Sequence, residues 1–271
     1  MTEDFAASGV QAAEELFRFG AREIGRVIAG QDEAIALAVA AVLCGGHALV
    51  EGVPGLAKTL TVKTLGHCLG VDFRRIQGTP DMMPADILGT TVFTPALDST
   101  PASFRFHPGP VFTQFLLADE INRMPPRTQA ALLEAMEERQ VTADGNRHAL
   151  DKFFTVFATQ NPVEFEGTYP LPEAQLDRFL LKIAVQYPTA EDERLVLERH
   201  HGPVLLHDEI LETVESGLLA QARREVRAVQ VESELFDYIL AVVRRTRVWP
   251  AISLGASPRA GTSLLLVAKA L

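Results

Sequence analysis

The sequence predicts an α/β fold: a mostly parallel sheet with helices on both faces, followed by a smaller all-helical part. Strand and helix patterns alternate through about residue 187. Several strand patterns are continuous apolar runs, such as Phe115-Leu116-Leu117-Ala118, which is typical of strands buried on both faces of a parallel sheet. After Tyr187-Pro188 only helical patterns follow. We therefore expect an α/β domain over residues 1–188 and a helical domain over residues 189–271.

The predicted elements of the α/β domain follow one another in a regular order. They are a helix over 31–44, a strand over 48–50, a helix over 59–69, strands over 72–77 and 115–118, a helix over 127–139, and strands over 153–159 and 179–185. This alternation favours parallel strands joined by helical crossovers.

Two insertions interrupt that order. The first, about residues 78–110, is rich in proline and has Thr and Phe stretches around Leu88-Gly89-Thr90 and Phe104-Arg105-Phe106. The second, about residues 140–150, contains Ala143-Asp144-Gly145-Asn146, the turn residues of a β-hairpin. Insertions of this length inside a compact domain are usually functional, so we expect both to take part in function.

The helical domain begins with the pattern Thr189-Ala190-Glu191-Asp192, which predicts a capped helix running to about His200. Further along, apolar residues recur at helical spacing at Leu235, Phe236, Ile239, Leu240, Val242 and Val243. Such a stripe is typical of a helix packed on a core, and we interpret it as core rather than as a cofactor site.

Composition and charge disfavour several classes of protein. The 271 residues carry a formal net charge of −10, so the sequence disfavours nucleic acid as a partner. The acidic start Met1-Thr2-Glu3-Asp4 does not resemble a signal peptide. The uncharged run 34–50 is divided at Gly45-Gly46 into pieces too short to span a membrane. Cys44 and Cys68 have no metal-binding spacing and fit reduced thiols, so we expect a cytoplasmic protein without a membrane span.

A glycine-rich loop connects the strand at 48–50 to the following helix. Its residues are Gly52-Val53-Pro54-Gly55-Leu56-Ala57-Lys58-Thr59, and the predicted binding segment extends to Leu60. Backbone N–H groups of such a loop, together with the helix N-terminus, bind polyphosphate. Lys58 is placed to reach the terminal phosphates, and the Thr59 hydroxyl to bind Mg²⁺. Where the motif has Gly this chain has Ala57, a substitution of little cost if φ is negative there. The loop thus predicts ATP and Mg²⁺ as cofactors.

Polar side chains follow two predicted strands at the edge where open α/β sheets bind ligands. Asp119 and Glu120 end the run that starts at Phe115. Asp119 is placed to hold Mg²⁺ through water, and Glu120 to accept a proton from an attacking water. Asn161 follows the strand at 153–159 and is placed to orient that water or to contact the γ-phosphate. The alternatives are an exposed Asp-Glu pair after a core strand and a turn-forming Asn before Pro162.

Two arginines complete the candidate set. Arg178 precedes the strand at 179–185, where it either reaches across a subunit interface as an arginine finger or forms an ion pair with Asp177 or Glu173. Arg259 begins the last apolar helix, and we expect it to point toward the nucleotide from the helical domain. A helix N-terminus is electrostatically unfavourable for a cation, which favours a functional role over a plain surface arginine.

Together these segments resemble the MoxR family of AAA+ ATPases, from about Val27 to the end of the chain. The resemblance rests on Asp119-Glu120-Ile121-Asn122-Arg123, on Thr159-Gln160-Asn161-Pro162, and on the loop with its Ala57. It also covers residues 30–31, 81–89, 106–110, 131–138, 176–179 and 255–259.

The resemblance implies a role for each of these positions. Lys58 and Thr59 correspond to Walker A, Asp119 and Glu120 to Walker B, Asn161 to sensor 1, Arg178 to the trans-acting finger and Arg259 to sensor 2. Val27-Ile28-Ala29-Gly30-Gln31 corresponds to the segment against the adenine. Arg123 either reaches a neighbouring subunit or braces the insertions.

The family also implies an assembly and a general activity. Its members form rings, commonly hexamers, whose pore is faced by insertions like the two found here. They act as chaperone-like ATPases that mature or activate partner complexes, often with von Willebrand factor A domain proteins. The family lid continues past the sensor 2 helix, whereas this chain stops at Leu271. The resemblance therefore implies an incomplete or unusually small lid, with weaker solubility or assembly. The alternatives are an AAA+ motor acting on DNA and a scaffold that hydrolyses little ATP.

Overall fold

The computed structural model describes residues 9–95, 103–163, 167–201, 212–215 and 217–271. Its strands are β1 (Ala48–Glu51), β2 (Phe73–Gln77), β3 (Gly89–Thr94), β4 (Ser103–Pro108), β5 (Phe115–Asp119), β6 (Gln140–Ala143), β7 (Asn146–Ala149), β8 (Thr155–Gln160) and β9 (Leu181–Ala184). Its helices are α1 (Gln11–Val27), α2 (Asp32–Cys44), α3 (Lys58–Cys68), α4 (Pro84–Leu88), α5 (Pro126–Glu138), α6 (Glu173–Leu176), α7 (Ala190–His201), α8 (Leu218–Ala228), α9 (Ser233–Thr246) and α10 (Pro258–Ala270). A 3₁₀ turn covers Ile121–Arg123.

The main sheet has five parallel strands in the order β2-β5-β8-β1-β9. This confirms the predicted mostly parallel α/β fold. Each predicted strand and helix of the α/β part is present, with bounds that differ by one or two residues. Because β1 is paired with both β8 and β9, the loop that follows β1 lies at the sheet's carboxyl edge between those two strands.

Helices cover both faces of the sheet. One core joins α1, α2, α3 and α8 to the sheet, and the other packs α5 against its opposite face. All of β5 is buried, and so is β8 up to Thr159, as their continuous apolar runs predict. These two buried strands fix the positions of the polar residues at their carboxyl ends.

Two helices of this core were not predicted from the sequence. α1 packs against α2 and α8 and buries Leu16 and Ile24. α8 contributes Leu219, Ala222 and Val226 to the same core. The predicted division at residue 188 therefore assigns to the helical domain a helix that packs with the α/β core.

Both insertions contain hairpins. The first holds α4 and the antiparallel pair β3–β4, and its residues 96–102 lie outside the described part. The second is the predicted hairpin β6–β7, with Asp144 and Gly145 at φ values of 50° and 77°, as a two-residue hairpin turn requires. The rings of Phe106 and His148 stack with centroids 4.1 Å apart, so the two hairpins contact each other.

The prediction that the stripe on α9 is core was wrong for most of its members. Leu235, Phe236 and Leu240 are each about half exposed, whereas Val243 is buried. The reason is that α9 packs mainly against α10, which covers only one side of the helix. The capped start of α7 was predicted correctly, since the Asp192 N–H donates to Thr189 Oγ1 at 3.3 Å. Within the described residues, no helix combines the length and apolar character needed to cross a membrane.

Candidate nucleotide-binding site

A cavity of about 430 Å³ lies at the carboxyl ends of β1, β2, β5 and β8. Its lining residues come from the glycine-rich loop, the start of α3 and the ends of three strands. They are Pro54, Gly55, Leu56, Ala57, Lys58, Thr59, Leu60, Arg75, Gln77, Asp119, Glu120, Thr159, Gln160 and Asn161. The structure thus brings together most of the residues predicted for the phosphate site.

The loop enters α3 through a left-handed residue. Ala57 is the N-cap of α3 and has φ 56° and ψ 21°. The condition under which this substitution would cost little, a negative φ, is therefore not met, because the tight turn into the helix requires the conformation that glycine adopts freely. An alanine held there costs on the order of 1–2 kcal/mol relative to its preferred conformations.

The Lys58 side chain folds back along the loop. Its Nζ donates hydrogen bonds to the carbonyl oxygens of Gly52 and Val53, the second at 2.8 Å. Gly52 and Val53 therefore contact the candidate site through their carbonyl groups rather than by lining the cavity. The ammonium group lies where the loop and the helix N-terminus concentrate positive potential.

Asp119 is the most heavily hydrogen-bonded side chain of the site. Its Oδ2 accepts from Thr59 Oγ1 at 2.9 Å and from Arg75 Nη2 at 2.7 Å, and its Oδ1 accepts from Thr159 Oγ1 at 2.5 Å. Burial raises the pKa of Asp119, but the hydrogen bonds from Thr159, Arg75 and Thr59 lower it, and the net pKa lies below its ordinary value. The buried carboxylate is therefore held ionised.

Glu120 is held at the end of β5 by an unusual backbone. Its φ is 55°, a strained value for a residue with a side chain and one that is enriched at functional sites. Its N–H donates to Thr159 Oγ1 at 2.9 Å, and its Oε2 lies 3.0 Å from Arg123 Nη1. Gly78 packs against this turn, since a Cβ there would lie 2.2 Å from the Glu120 carbonyl oxygen.

Asn161 lines the cavity and also forms a turn. Its Oδ1 accepts a hydrogen bond from the Val163 N–H at 3.2 Å, and its carbonyl accepts from Asn122 Nδ2 at 3.4 Å. Both interpretations from the sequence thus have a structural basis: the side chain is in reach of the cavity, and it also stabilises the chain after β8.

The residues predicted to lie against the adenine are outside this cavity. Ile28 and Gln31 are buried, and Gln31 Nε2 donates to the Gln186 carbonyl at 2.8 Å. Gly30 approaches Asp192 at the start of α7 so closely that a Cβ would lie 2.6 Å from the carboxylate. Gln31 and Lys58 both line a second, small cavity. The segment from Ile28 to Gln31 therefore lies near the glycine-rich loop but outside the candidate nucleotide cavity.

The structure does not bring Arg178 or Arg259 to the cavity. Arg178 Nε lies 3.1 Å from Glu137 Oε2, and Arg259 Nη1 lies 3.1 Å from Glu137 Oε1. Glu137 is near the end of α5, next to Met136, whose carbonyl contacts His47 just before β1. These arginines are therefore at the amino ends of the strands, opposite the cavity. The alternative interpretation of Arg178 was an ion pair with Asp177 or Glu173, and the structure has an ion pair with Glu137 instead.

Four residues of the cavity were not predicted as site residues. Arg75 and Gln77 lie on the same side of β2 and reach the cavity beside Asp119, while Thr159 and Gln160 are the last two residues of β8. The available signal was that polar residues end the apolar strands at the same edge. That signal was used for Asp119 and Asn161, but not for the edge strand β2.

The side chains present fit Mg²⁺ and a nucleotide phosphate. Thr59 and Asp119 offer adjacent hard oxygen atoms, and the described residues contain no cluster of three or more His, Cys, Asp or Glu that could enclose a metal. Mg²⁺ commonly binds in this way, through one or two protein ligands plus substrate phosphates. A larger cavity of about 710 Å³ between β9, α6 and α10 has mainly apolar walls and lacks such a loop.

Comparison with known proteins supports the same assignment. Residues 47–181 match the family model described as "ATPase family associated with various cellular activities (AAA)". The chain is 41% identical to the chaperone MoxR1 of Mycobacterium tuberculosis over 98% of this chain and 71% of that protein. It is 46% identical to the protein YeaC of Bacillus subtilis over 91% of this chain and 76% of YeaC. A crystal structure of a proposed ATPase from Cytophaga hutchinsonii, 42% identical, superposes with a TM-score of 0.80 over 96% of this chain and 82% of that one. The chain belongs to the MoxR family of AAA+ ATPases.

Proposed function

We propose that this protein binds ATP with Mg²⁺ at the cavity and hydrolyses it to ADP and phosphate. The observation that carries the proposal is the convergence of Lys58, Thr59, Asp119 and Glu120 on one cavity at the carboxyl edge of the sheet. Family membership supports the same activity, because the matching model and the solved relative both describe ATPases.

Each side chain has a distinct task in this proposal. The N–H groups at the start of α3 and the Lys58 ammonium bind the phosphates. Thr59 and Asp119 would hold Mg²⁺, which when bound neutralises phosphate charge and favours loss of the terminal phosphoryl group. Glu120 takes a proton from the attacking water, and Arg123 keeps its carboxylate in place at 3.0 Å. Asn161 orients that water from the end of β8.

The position of Arg178 outside the cavity is compatible with a role in the site of a neighbouring subunit. Arg178 lies at the amino edge of the sheet, where it forms an ion pair with the partly exposed Glu137. From this position it can contact an adjacent subunit. We propose a homo-oligomeric ring, with six subunits as the expected number, in which Arg178 stabilises the transition state in the neighbouring site. Arg259 serves as the sensor 2 residue once the helical part closes on the nucleotide, and this requires that it leave Glu137.

The proposed use of ATP hydrolysis is to remodel or activate other protein complexes in the cytoplasm. The name of MoxR1 as a chaperone supports this role, and so does the first hairpin, whose Phe93 and Phe104 are exposed. A von Willebrand factor A domain protein is the expected partner class.

The test is steady-state phosphate release by the wild type, by Glu120→Gln and by Glu134→Gln. Glu134 is an exposed carboxylate on α5 outside the cavity and is the matched control. We expect Glu120→Gln to bind ATP but to turn over about 10²–10⁴-fold more slowly, while Glu134→Gln behaves as the wild type. Normal turnover by Glu120→Gln would overturn the assignment of the base.

A further inference from the structure

The contact between Arg75 and Asp119 is not part of the activity described above. Arg75 Nη2 and Nε lie 2.7 Å and 3.2 Å from Asp119 Oδ2. The same oxygen accepts the hydrogen bond from Thr59 Oγ1 at 2.9 Å. A metal ion held by Thr59 and Asp119 would use the charge of this carboxylate, which in this structure is already paired with the guanidinium group.

We propose that Arg75 is a counterion that competes with Mg²⁺: it neutralises Asp119 in the nucleotide-free protein and yields this carboxylate when metal-bound nucleotide enters. The inference rests on the proposed function of the cavity, since it assumes that Mg²⁺ binds between Thr59 and Asp119. In this proposal, Arg75 on β2 controls how strongly the binding of Mg²⁺ and the binding of nucleotide depend on each other.

The charges of the cavity support this role. Its lining contains two cationic side chains, Lys58 and Arg75, and two carboxylates, Asp119 and Glu120. Without Arg75, the ionised and buried Asp119 would face incoming phosphate oxygens with no cation on it. With both Arg75 and Mg²⁺, two cations would compete for one carboxylate. Arg75 is therefore favourable before the metal arrives and unfavourable afterwards.

Arg75 is also placed so that it can leave. Its side chain is 48% exposed, in contrast to the 9% of Asp119. Nη2 also donates to Gln77 Oε1 at 2.5 Å, and Gln77 is two residues along the same side of the strand. Gln77 and solvent can thus hold the guanidinium group after it separates from Asp119, so the displacement needs no movement of β2.

A purely structural role for Arg75 predicts a different behaviour. If the residue only joins β2 to β5, its removal lowers the stability of the nucleotide-free protein and leaves the coupling between Mg²⁺ and nucleotide unchanged. If instead it binds phosphate directly, its removal weakens nucleotide binding equally with and without Mg²⁺. If Arg75 competes with Mg²⁺, its removal strengthens nucleotide binding in the presence of Mg²⁺ and weakens it in the absence of Mg²⁺.

The experiment measures the Kd of a fluorescent ADP analogue, with excess Mg²⁺ and with EDTA, for the wild type, Arg75→Gln and Arg74→Gln. Arg74 is the matched control: it is the adjacent residue of β2, carries the same charge, lies outside the cavity and is near Asp72, with Nε 3.9 Å from Oδ2. Arg75→Gln should bind more tightly than the wild type with Mg²⁺ and more weakly in EDTA. The ratio of the two Kd values should then rise roughly tenfold, the size expected for one charged hydrogen-bonded contact.

The outcomes separate this inference from the proposed function. If the wild type binds the analogue but Arg75→Gln shows the wild-type ratio, or weaker binding under both conditions, the competition does not exist and the nucleotide site stands. If the wild type does not bind the analogue at all, the proposed function itself fails. A thermal unfolding curve of each variant identifies any loss of fold. If Arg75→Gln is too unstable to measure, Arg75→Met, which also removes the charge, takes its place and should show the same roughly tenfold rise in the ratio, whereas an unchanged ratio would again exclude the competition.

Discussion

The two ends of the sheet each place arginine beside a carboxylate, but in different surroundings. At the carboxyl edge, Asp119 is 9% exposed and accepts hydrogen bonds from Arg75 and two threonines. At the amino edge, Glu137 is 44% exposed and accepts only from Arg178 and Arg259 among the described residues. An exposed ion pair contributes little to stability, whereas an unpaired buried carboxylate is costly. The amino-edge arginines are therefore free to change partner at small cost, and the buried carboxylate must always have a cation.

The largest expected effect concerns Arg178 at the exposed cluster. Arg178→Ala should lower ATP hydrolysis by about 10³-fold or more while leaving nucleotide binding intact, because the finger acts only in the transition state. Phosphate release measures the first quantity, and titration with a fluorescent nucleotide the second. Arg194→Ala, which removes another exposed arginine paired with a glutamate, is the control and should have no effect.

Mixed assemblies then decide whether Arg178 acts on the neighbouring subunit. Rings that combine Arg178→Ala with Lys58→Ala should regain part of the activity, since the second variant supplies its own Arg178 to an intact site. Assembled rings without any rescue would indicate that Arg178 only forms its ion pair with Glu137.

The second effect is a pH dependence of stability caused by His47, which is buried at the amino edge of the sheet. His47 accepts from the Val156 N–H at Nδ1 and donates from Nε2 to the Met136 carbonyl, and burial lowers its pKa to about 4. The folded protein therefore protonates His47 less readily than the unfolded chain does. Its free energy of unfolding should be highest above about pH 6.5 and should fall as the pH drops toward 4. The loss should approach about 1.4 kcal/mol per pH unit, as measured by urea unfolding.

Substitution separates His47 from the carboxylates. Asp119 and Glu23, whose pKa values are lowered, affect stability only below their ordinary pKa values, near pH 4. His47→Gln should therefore remove most of the slope between pH 5 and 6.5, while substitution of the exposed His107 controls for the loss of a histidine. A wild-type curve that is flat in this range would contradict the neutral, buried state of His47.

A smaller effect is expected in the loop at the carboxyl edge. Ala57→Gly should raise the free energy of unfolding of the nucleotide-free protein by about 1 kcal/mol, because glycine adopts the positive φ of this position without strain. Ala130→Gly, in the exposed middle of α5, should lower it by about the same amount. Equal destabilisation by both changes would show that the left-handed conformation at Ala57 costs nothing.

The smallest effect tests the exposed cluster directly. Glu137→Gln should change the free energy of unfolding by less than about 1 kcal/mol, because both arginines remain solvated when the pair is lost. Denaturant unfolding of Glu137→Gln and of Glu134→Gln gives the comparison. A loss above about 2 kcal/mol for Glu137→Gln alone would mean that this cluster is a structural link and not a reservoir of exchangeable arginines.

The elements predicted correctly from the sequence are those whose structure depends on neighbouring residues alone. Continuous apolar runs predicted β5 and β8, and the glycine-rich loop predicted the turn into α3, because burial and turn geometry there depend on neighbouring residues. Asp119 and Glu120 followed from the rule that parallel strands end at a common edge.

The features that the sequence did not predict depend on contacts between distant parts of the chain. Whether the stripe on α9 is buried depends on what packs over it, and α10 covers only one side. The contact of Arg75 with Asp119 joins residues 44 positions apart through the pairing of β2 with β5, and no periodicity reveals it. The shared use of Glu137 by Arg178 and Arg259 likewise requires the fold, and the positive φ of Ala57 appears only in the folded turn.

Calorimetric titration with Mg²⁺ and ADP shows whether the loop before α3 binds the nucleotide phosphates. The comparison is between Lys58→Ala and Lys63→Ala, which removes an exposed lysine from the same helix outside the cavity. We expect the wild type and Lys63→Ala to bind with similar affinity, and Lys58→Ala to show no measurable heat of binding. Binding by Lys58→Ala at the wild-type affinity would show that this loop does not hold the phosphates.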